Sequence, residues 1–457
     1  HNPRQLLLVV NKSTMEAFSC HGLDTTANGK MLIALKAIYG AQDAGDHFTG
    51  LLLDILINRL GFVQNPDDPA LLVGRFDDGI MMLLMHVDDL PMAGTTVPLV
   101  SRIIMELYHH LDLGLAQSPM DQVLGSVITH TYNKNSTYSL SRSIISKITE
   151  LAISLGLTSR HPVFNVAPTN RPVLDDKPVD PSIIEAWESR LPYQKVIGLL
   201  NHIASICGPA LVQISKLGGK RQLPSENDYE LLEHLVIYLY STRHQQRVMK
   251  KSSLKHPQLS WAAGDAAFNS DIRGKSRYGE AHYVLGHLVH FSSSVNVVST
   301  TSLSSNGSEI PALTAASKTA VYIRRISTFL MEFFDPHYPS LYTPTMVLTD
   351  NEGAFNAADP HYTRSSLTRH LLPKHFYVRE LVKQGLIHIV KVAGGKSPDQ
   401  PADFFTKLFN TKTFTAACKR FGFYDPAATP PHTVTHICLE SILQRQKSST
   451  ATSTTSK

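Results

Sequence analysis

The chain has 457 residues, 42% of them hydrophobic, enough to bury more than one core and to form roughly two to four globular units. Its formal net charge of +5, with 22 histidines left neutral, suits a polyanionic partner without demanding one, and no apolar run approaches the roughly 20 residues of a membrane span. Four cysteines, Cys20, Cys207, Cys418 and Cys438, stand far apart with no paired spacing, which excludes a disulfide framework or zinc knuckle and fits an intracellular, reducing compartment.

The chain begins with His1 rather than methionine, so a piece of a longer product is expected. Residues 5–10 (QLLLVV) read as a strand, and the Ser-, Thr- and Asn-rich stretch to Gly29 shows little chemistry. Leu52, Ile55, Leu56 and Leu60 recur at helical spacing and predict a helix over 48–60, closed by Gly61. Segment 79–94, GIMMLLMHVDDLPMAG, then drives the adjacent Asp88 and Asp89 into an apolar run. Ionised carboxylates there face a desolvation cost unless water, a partner charge or a metal meets them. The six apolar residues from Ile80, bounded by Gly79, predict a buried strand turning back in a hairpin, so the pair is either a plain turn or a metal site.

Beyond the hairpin, a helix is expected over 97–111, a strand over 122–129 and a helix over 143–155 ended by Gly156. Pro162, Pro168, Pro172, Pro178 and Pro181 mark a linker and a domain boundary. Helices follow over 183–206 and 226–240, with Lys220, Arg221, Arg243, Arg247, Lys250, Lys251 and Lys255 around them. Those cations either meet phosphates or merely solvate a helix face. From Gln258 the order becomes α/β with a mixed sheet: strands over 259–268, 282–290 and 295–300, a long helix over 305–331, and a strand over 345–350. A helix over 368–384 stopped by Gly385, a strand over 387–392 and a helix over 401–409 complete it, and the Pro-, Ser- and Thr-rich residues from about 427 read as disordered.

Four acids in this second half have settings that matter more than their number. Asp265 sits inside an apolar strand, SWAAGDAAF, where a lone carboxylate is costly. Glu309 lies in the first turn of the long helix, where the helix dipole alone would favour it. Asp350 ends the strand MVLTD and could equally cap the next helix. Asp403, in PDQPADFFTK, opens another helix, again a place the dipole tolerates.

Together these motifs resemble the copia-type retrotransposon reverse transcriptase followed by its ribonuclease H domain, over roughly residues 30–425. HVDD resembles the (Tyr/Phe)-Val-Asp-Asp of the polymerase, and Lys36, Ala37, Ile38, Tyr39, Gly40, Gly61, Phe62 and Pro69 fall in matching places. Leu124 and Gly125 resemble the family's "LG" strand beside the primer end. For ribonuclease H the chain offers Asp265, then Ser304, Ser305 and Glu309, then Asp350 and Asn351, then Ala402, Asp403, Phe404, Phe405, Thr406 and Lys407, with Arg379, Glu380 and Leu381 for the "RELV" helix. The resemblance implies two-metal hydrolysis of the RNA strand of RNA-DNA hybrids. Clustered hard oxygens would hold two Mg²⁺ (or Mn²⁺) ions ~3.5–4 Å apart. Asp265 would bridge the ions, Glu309 and Asp350 would complete one side and Asp403 the other, while Asp88 would hold metal in the polymerase half beside Asp89. His370, His375 and His388 could carry a proton near the nuclease site, although a surface or core histidine explains each as well.

The polymerase half departs from the pattern. Only Glu16 and Asp24 precede Lys36, neither on an apolar strand, so the first palm aspartate is missing from this sequence, either cut off with its start or lost. Ala41-Gln42-Asp43 replaces the family's Leu-Lys-Gln, Asp46 replaces an arginine, and His86 replaces the aromatic before Val-Asp-Asp. Negative charges in a nucleic-acid channel predict impaired RNA-directed DNA polymerase activity. The expected architecture is a mixed α+β and α/β multidomain chain: partial fingers and palm over 1–135, a helical thumb and connection over 136–256, a ribonuclease H-like mixed sheet with flanking helices over 257–425, and a disordered tail over 426–457. Expected partners are an RNA-DNA hybrid, template-primer nucleic acid and other Pol or Gag products, with no membrane. The alternatives are a catalytically inactive retroelement remnant that only binds nucleic acid, and a host protein that reuses the fold for protein contacts.

Overall fold

Apolar residues at helical and alternating spacing build two units, His1–Ala116 and Gln117–Lys457. The computed structural model describes residues 7–9, 31–33, 44–86, 89–111, 113–114, 122–123, 126–131, 135–168, 180–250, 254–268, 270, 275–295, 305–361, 376–394, 399–424 and 439–445.

In the first unit, β1 (Leu7–Val9) pairs antiparallel with β2 (Met31–Ile33). Helix α1 (Ala44–Leu53) runs into a π-helical segment, Asp54–Arg59, and Gly61 closes it at a φ of 77° that a side chain would resist. A four-stranded antiparallel sheet follows in chain order: β3 (Val63–Gln64), β4 (Leu71–Phe76), β5 (Gly79–Leu84) and β6 (Met92–Gly94). Helix α2 (Val97–His110) starts at Thr96, whose hydroxyl accepts from the Leu99 N–H. Leu52, Ile55 and Leu56 meet Leu72, Met81 and Leu83 of the sheet and Leu99, Ile103 and Leu107 of α2 in one core.

The second unit opens with β7 (Gln122–Val123), β8 (Ser126–Thr131) and β9 (Asn135–Leu140). Five helices follow: α3 (Arg142–Ser154), α4 (Pro181–Arg190), α5 (Tyr193–Cys207), α6 (Leu211–Gly218) and α7 (Glu226–Thr242). Strand β10 (Gln246–Lys250) pairs with β9 and with the late β16 (Phe423–Tyr424), so the helical region and the end of the chain share a sheet.

A mixed sheet then forms from β11 (Ser260–Ala267), β12 (Arg277–Val284), β13 (His287–Val295), β14 (Thr345–Thr349) and β15 (Ile387–Lys391), in the order β13-β12-β11-β14-β15. The pairings are antiparallel up to β11 and parallel beyond it. Helix α8 (Ser305–Phe334) packs on one face, with α9 (Glu352–Ala357) and α10 (Tyr377–Lys383) beside it. On the other face lies a 3₁₀ turn, Pro401–Phe405, followed by α11 (Thr411–Arg420). Phe404 and Phe405 of the turn are buried with Phe414 and Phe421 in a core that also takes Leu235 and Tyr238 of α7, which fixes the turn against the sheet. The fold is thus of the mixed α+β multidomain class that the sequence predicted.

Several elements differ from expectation. Residues 122–129 form two antiparallel strands rather than one. The single helix expected over 183–206 is two, because Pro192 has no N–H to continue α4 and instead starts α5. The strand expected over 282–290 is a hairpin turning at Leu285 and Gly286, both at positive φ. The helix expected over 401–409 is the short 3₁₀ turn, and α6 was not foreseen. Within the supposed tail, 439–445 is helical and buries Leu439 and Ile442 in the main core. Lys36 to Asp43, Leu124, Gly125, Ser304, Lys251, 296–300, 368–375 and the prolines 172 and 178 lie outside the described residues. No described helix is long and apolar enough to cross a membrane.

Candidate metal centre

The centre begins with Asp265, one residue from the close approach of α8 to the sheet. A Cβ on Gly264 would stand 2.8 Å from that of Ala316, so the glycine lets α8 lie against β11. This brings Glu309, in the first turns of α8, next to the end of β11, where its Oε2 accepts from the Ala266 N–H at 3.2 Å. Asp350 follows directly on β14, the parallel neighbour of β11. The cap of α9 is Asn351, whose Oδ1 accepts from Ala354 N at 2.9 Å, so Asp350 is spared that task. One oxygen each from Asp265, Glu309 and Asp350 falls within 4.8 Å of the others, and no other such trio of His, Cys, Asp or Glu was found among the described residues.

Asp403 lies on the 3₁₀ turn beside this trio and outside its three-atom group. Its Oδ1 takes a 2.5 Å bond from Lys407 Nζ, which also stands 3.6 Å from Asp265 Oδ2. The Thr406 hydroxyl donates to the same Asp265 oxygen. Gln400 donates to the Gly264 carbonyl at 3.0 Å, and its side-chain amide draws the Asp350 carboxyl down against the larger opposing effects of burial and Asp265. Gly279, paired with Asp265 across β11 and β12, makes room for the turn: a Cβ there would meet Thr406 Cγ2 at 2.6 Å and the Ala402 oxygen at 2.9 Å.

Asp265, Glu309 and Asp403 are nearly sealed from water, at 1%, 8% and 6% exposure. Burial first, then Asp265 and Asp350, push the Glu309 carboxyl up to about 9. Burial and Asp265 likewise raise Asp403 to about 7 and raise Asp350. The neighbouring carboxylates hold the Lys407 ammonium firmly charged, against the opposing effect of burial. Four acids facing one lysine leave negative charge in surplus, the condition under which a divalent cation binds through hard oxygens.

The four nuclease candidates therefore converge, three of them at mutual ligand distance. In the polymerase half, Asp88 lies outside the described residues. Asp89 is exposed at a tight hairpin, exchanging backbone bonds of 2.9 Å with His86, so the desolvation cost expected of it does not arise. Asp46 is exposed in the first turn of α1. His388 is exposed on β15, while His370 and His375 lie outside the described residues. Arg379 ties α10 to α9 through the Ala357 carbonyl at 2.7 Å, a structural task. Gln400 and Gly279 were missed as site residues, and only the folded contacts with Gly264, Asp350 and Thr406 identify them.

The chain is similar to a protein of Saccharomyces cerevisiae whose name assigns it to transposon Ty5-1, at 26% identity over 191 residues. The aligned stretch is 41% of this chain and 58% of that protein, so the chain spans little more than half the length of its relative. The similarity supports a retroelement origin. No family model matches the chain, and no solved structure matches it.

Proposed function

We propose that the chain is the polymerase and ribonuclease H part of a copia-type retrotransposon product, and that its nuclease centre cuts the RNA strand of an RNA-DNA hybrid with Mg²⁺ or Mn²⁺. The observation that carries this reading is the meeting of Asp265, Glu309 and Asp350 from three separate elements at ligand distance, with Asp403 beside them. An all-carboxylate donor set without thiolate or imidazole suits a hard cation. A bound ion would supply an activated water and offset charge on the scissile phosphate. Asp265, Glu309 and Asp350 would hold that ion, while Thr406 fixes Asp265 and Gln400 steadies Asp350.

On this reading, 1–135 is a partial fingers and palm, 136–256 the thumb and connection, and 257–425 the nuclease domain, with template-primer nucleic acid and other Pol or Gag products as partners. The polymerase activity is impaired. Supporting that part are Asp43 and Asp46, negative charges where the family's pattern has a glutamine and an arginine. The test is cleavage of an end-labelled RNA-DNA hybrid by the full chain and by Asp265→Asn. Cleavage that needs Mg²⁺ or Mn²⁺ and vanishes in the variant is expected. No cleavage at any level of either ion overturns the nuclease assignment and leaves a remnant that only binds nucleic acid.

A further inference from the structure

Lys407 occupies the half of the acid cluster that the three-carboxylate group leaves over. Its backbone N–H donates to the Asp403 carbonyl at 2.9 Å, so the chain leaves the 3₁₀ turn through one α-type turn that sets the two side chains four residues apart on one face. The ammonium then lies 2.5 Å from Asp403 Oδ1 and 3.6 Å from Asp265 Oδ2. Thr406 donates to that same Asp265 oxygen. A second divalent ion bridging Asp265 and Asp403 would need these two oxygens at roughly 2.1 Å each, and the ammonium already lies 3.6 Å and 2.5 Å from them.

We propose that Lys407 is the resident cation of the Asp403 side: the centre takes one divalent ion, on Asp265, Glu309 and Asp350, and its second positive charge is the lysine ammonium. The statement rests on the nuclease reading for what the centre cuts, and not for how many ions it holds. Four carboxylates against one divalent ion and one ammonium leave a single negative charge, which removes most of the drive to recruit a second ion. Lys407 keeps 39% of its side chain exposed, so its removal opens the second position to solvent and to ions.

The test counts Mn²⁺ bound to the full chain by electron paramagnetic resonance during titration. Wild type and Lys407→Arg should bind one ion per chain, and Lys407→Met should bind two, the second more weakly. Two ions in the wild type, or one ion at unchanged affinity in Lys407→Met, overturn the proposal. Should Lys407→Met fail to fold, the wild-type and Lys407→Arg counts decide alone. Hybrid cleavage by a wild type that holds two ions overturns this inference and keeps the nuclease reading. One ion without cleavage does the reverse.

Discussion

Replacing Glu309 by glutamine should stabilise the metal-free protein, because the wild type crowds carboxylates into a dry site. Burial, then Asp265 and Asp350, push the Glu309 carboxyl up to about 9 from its ordinary 4.5, with Lys407 giving partial relief. A folded value above the unfolded one means that the folded protein holds the proton more tightly. Stability is therefore full below about pH 4.5 and is lost as pH rises toward 9. At pH 7 the medium is about 2.5 units above the unfolded value, and at ~1.36 kcal/mol per unit the loss is about 3 kcal/mol. Asp350 and Asp403 are raised as well and act with the same sign. Glutamine cannot ionise, yet keeps an oxygen for the Ala266 N–H. Urea unfolding followed by circular dichroism in EDTA, between about pH 5 and 8, should show wild-type stability falling with pH. The Glu309→Gln curve should be flatter and up to about 3 kcal/mol higher at pH 7. Saturating Mg²⁺ should recover the wild type and do less for the variant. A wild-type profile that is flat or rises over this range in EDTA would refute the reasoning.

Gly279→Ala places a Cβ against Thr406 and the Ala402 carbonyl, so it should cost about 1–3 kcal/mol in chemical unfolding and weaken Mn²⁺ binding measured by calorimetry. Thr406→Val removes the hydroxyl from Asp265 with little change of shape, and Mn²⁺ affinity should drop ~10–100-fold. Asp228 is 2% exposed, closes a capping box with Ser225 at the start of α7, and takes Lys220 at 3.2 Å. Asp228→Ala should therefore cost about 3 kcal/mol in the same unfolding assay, because it strands a half-buried ammonium and uncaps a core helix.

The helices and strands with clear periodicity were legible in the sequence, and so were the four acids. β11 could be read from its apolar run, and Glu309 and Asp350 from their places at the ends of α8 and β14. Each acid alone also fitted an ordinary explanation, and only the fold decides among them. Asn351 takes the capping role that Asp350 could have filled, and Glu309 turns to the end of β11 rather than to water. The hairpin at Leu285 was illegible for a physical reason: it sets a leucine at a φ of 51°, where turns ordinarily place glycine or asparagine. The break before α5 was legible in Pro192, yet apolar residues on both sides masked it. The helix over 439–445 was hidden by the composition around it, since two buried side chains, Leu439 and Ile442, outweigh a polar neighbourhood. The bond from Thr406 to Asp265 joins residues distant in sequence, which no local pattern reveals.

The convergence of the acids is tested most directly by an anomalous difference map from crystals soaked in Mn²⁺. The account predicts one peak roughly 2.1 Å from an oxygen of each of Asp265, Glu309 and Asp350, with Lys407 beside Asp403. Carboxylates that point to separate surfaces, or a peak elsewhere with this trio empty, would contradict it.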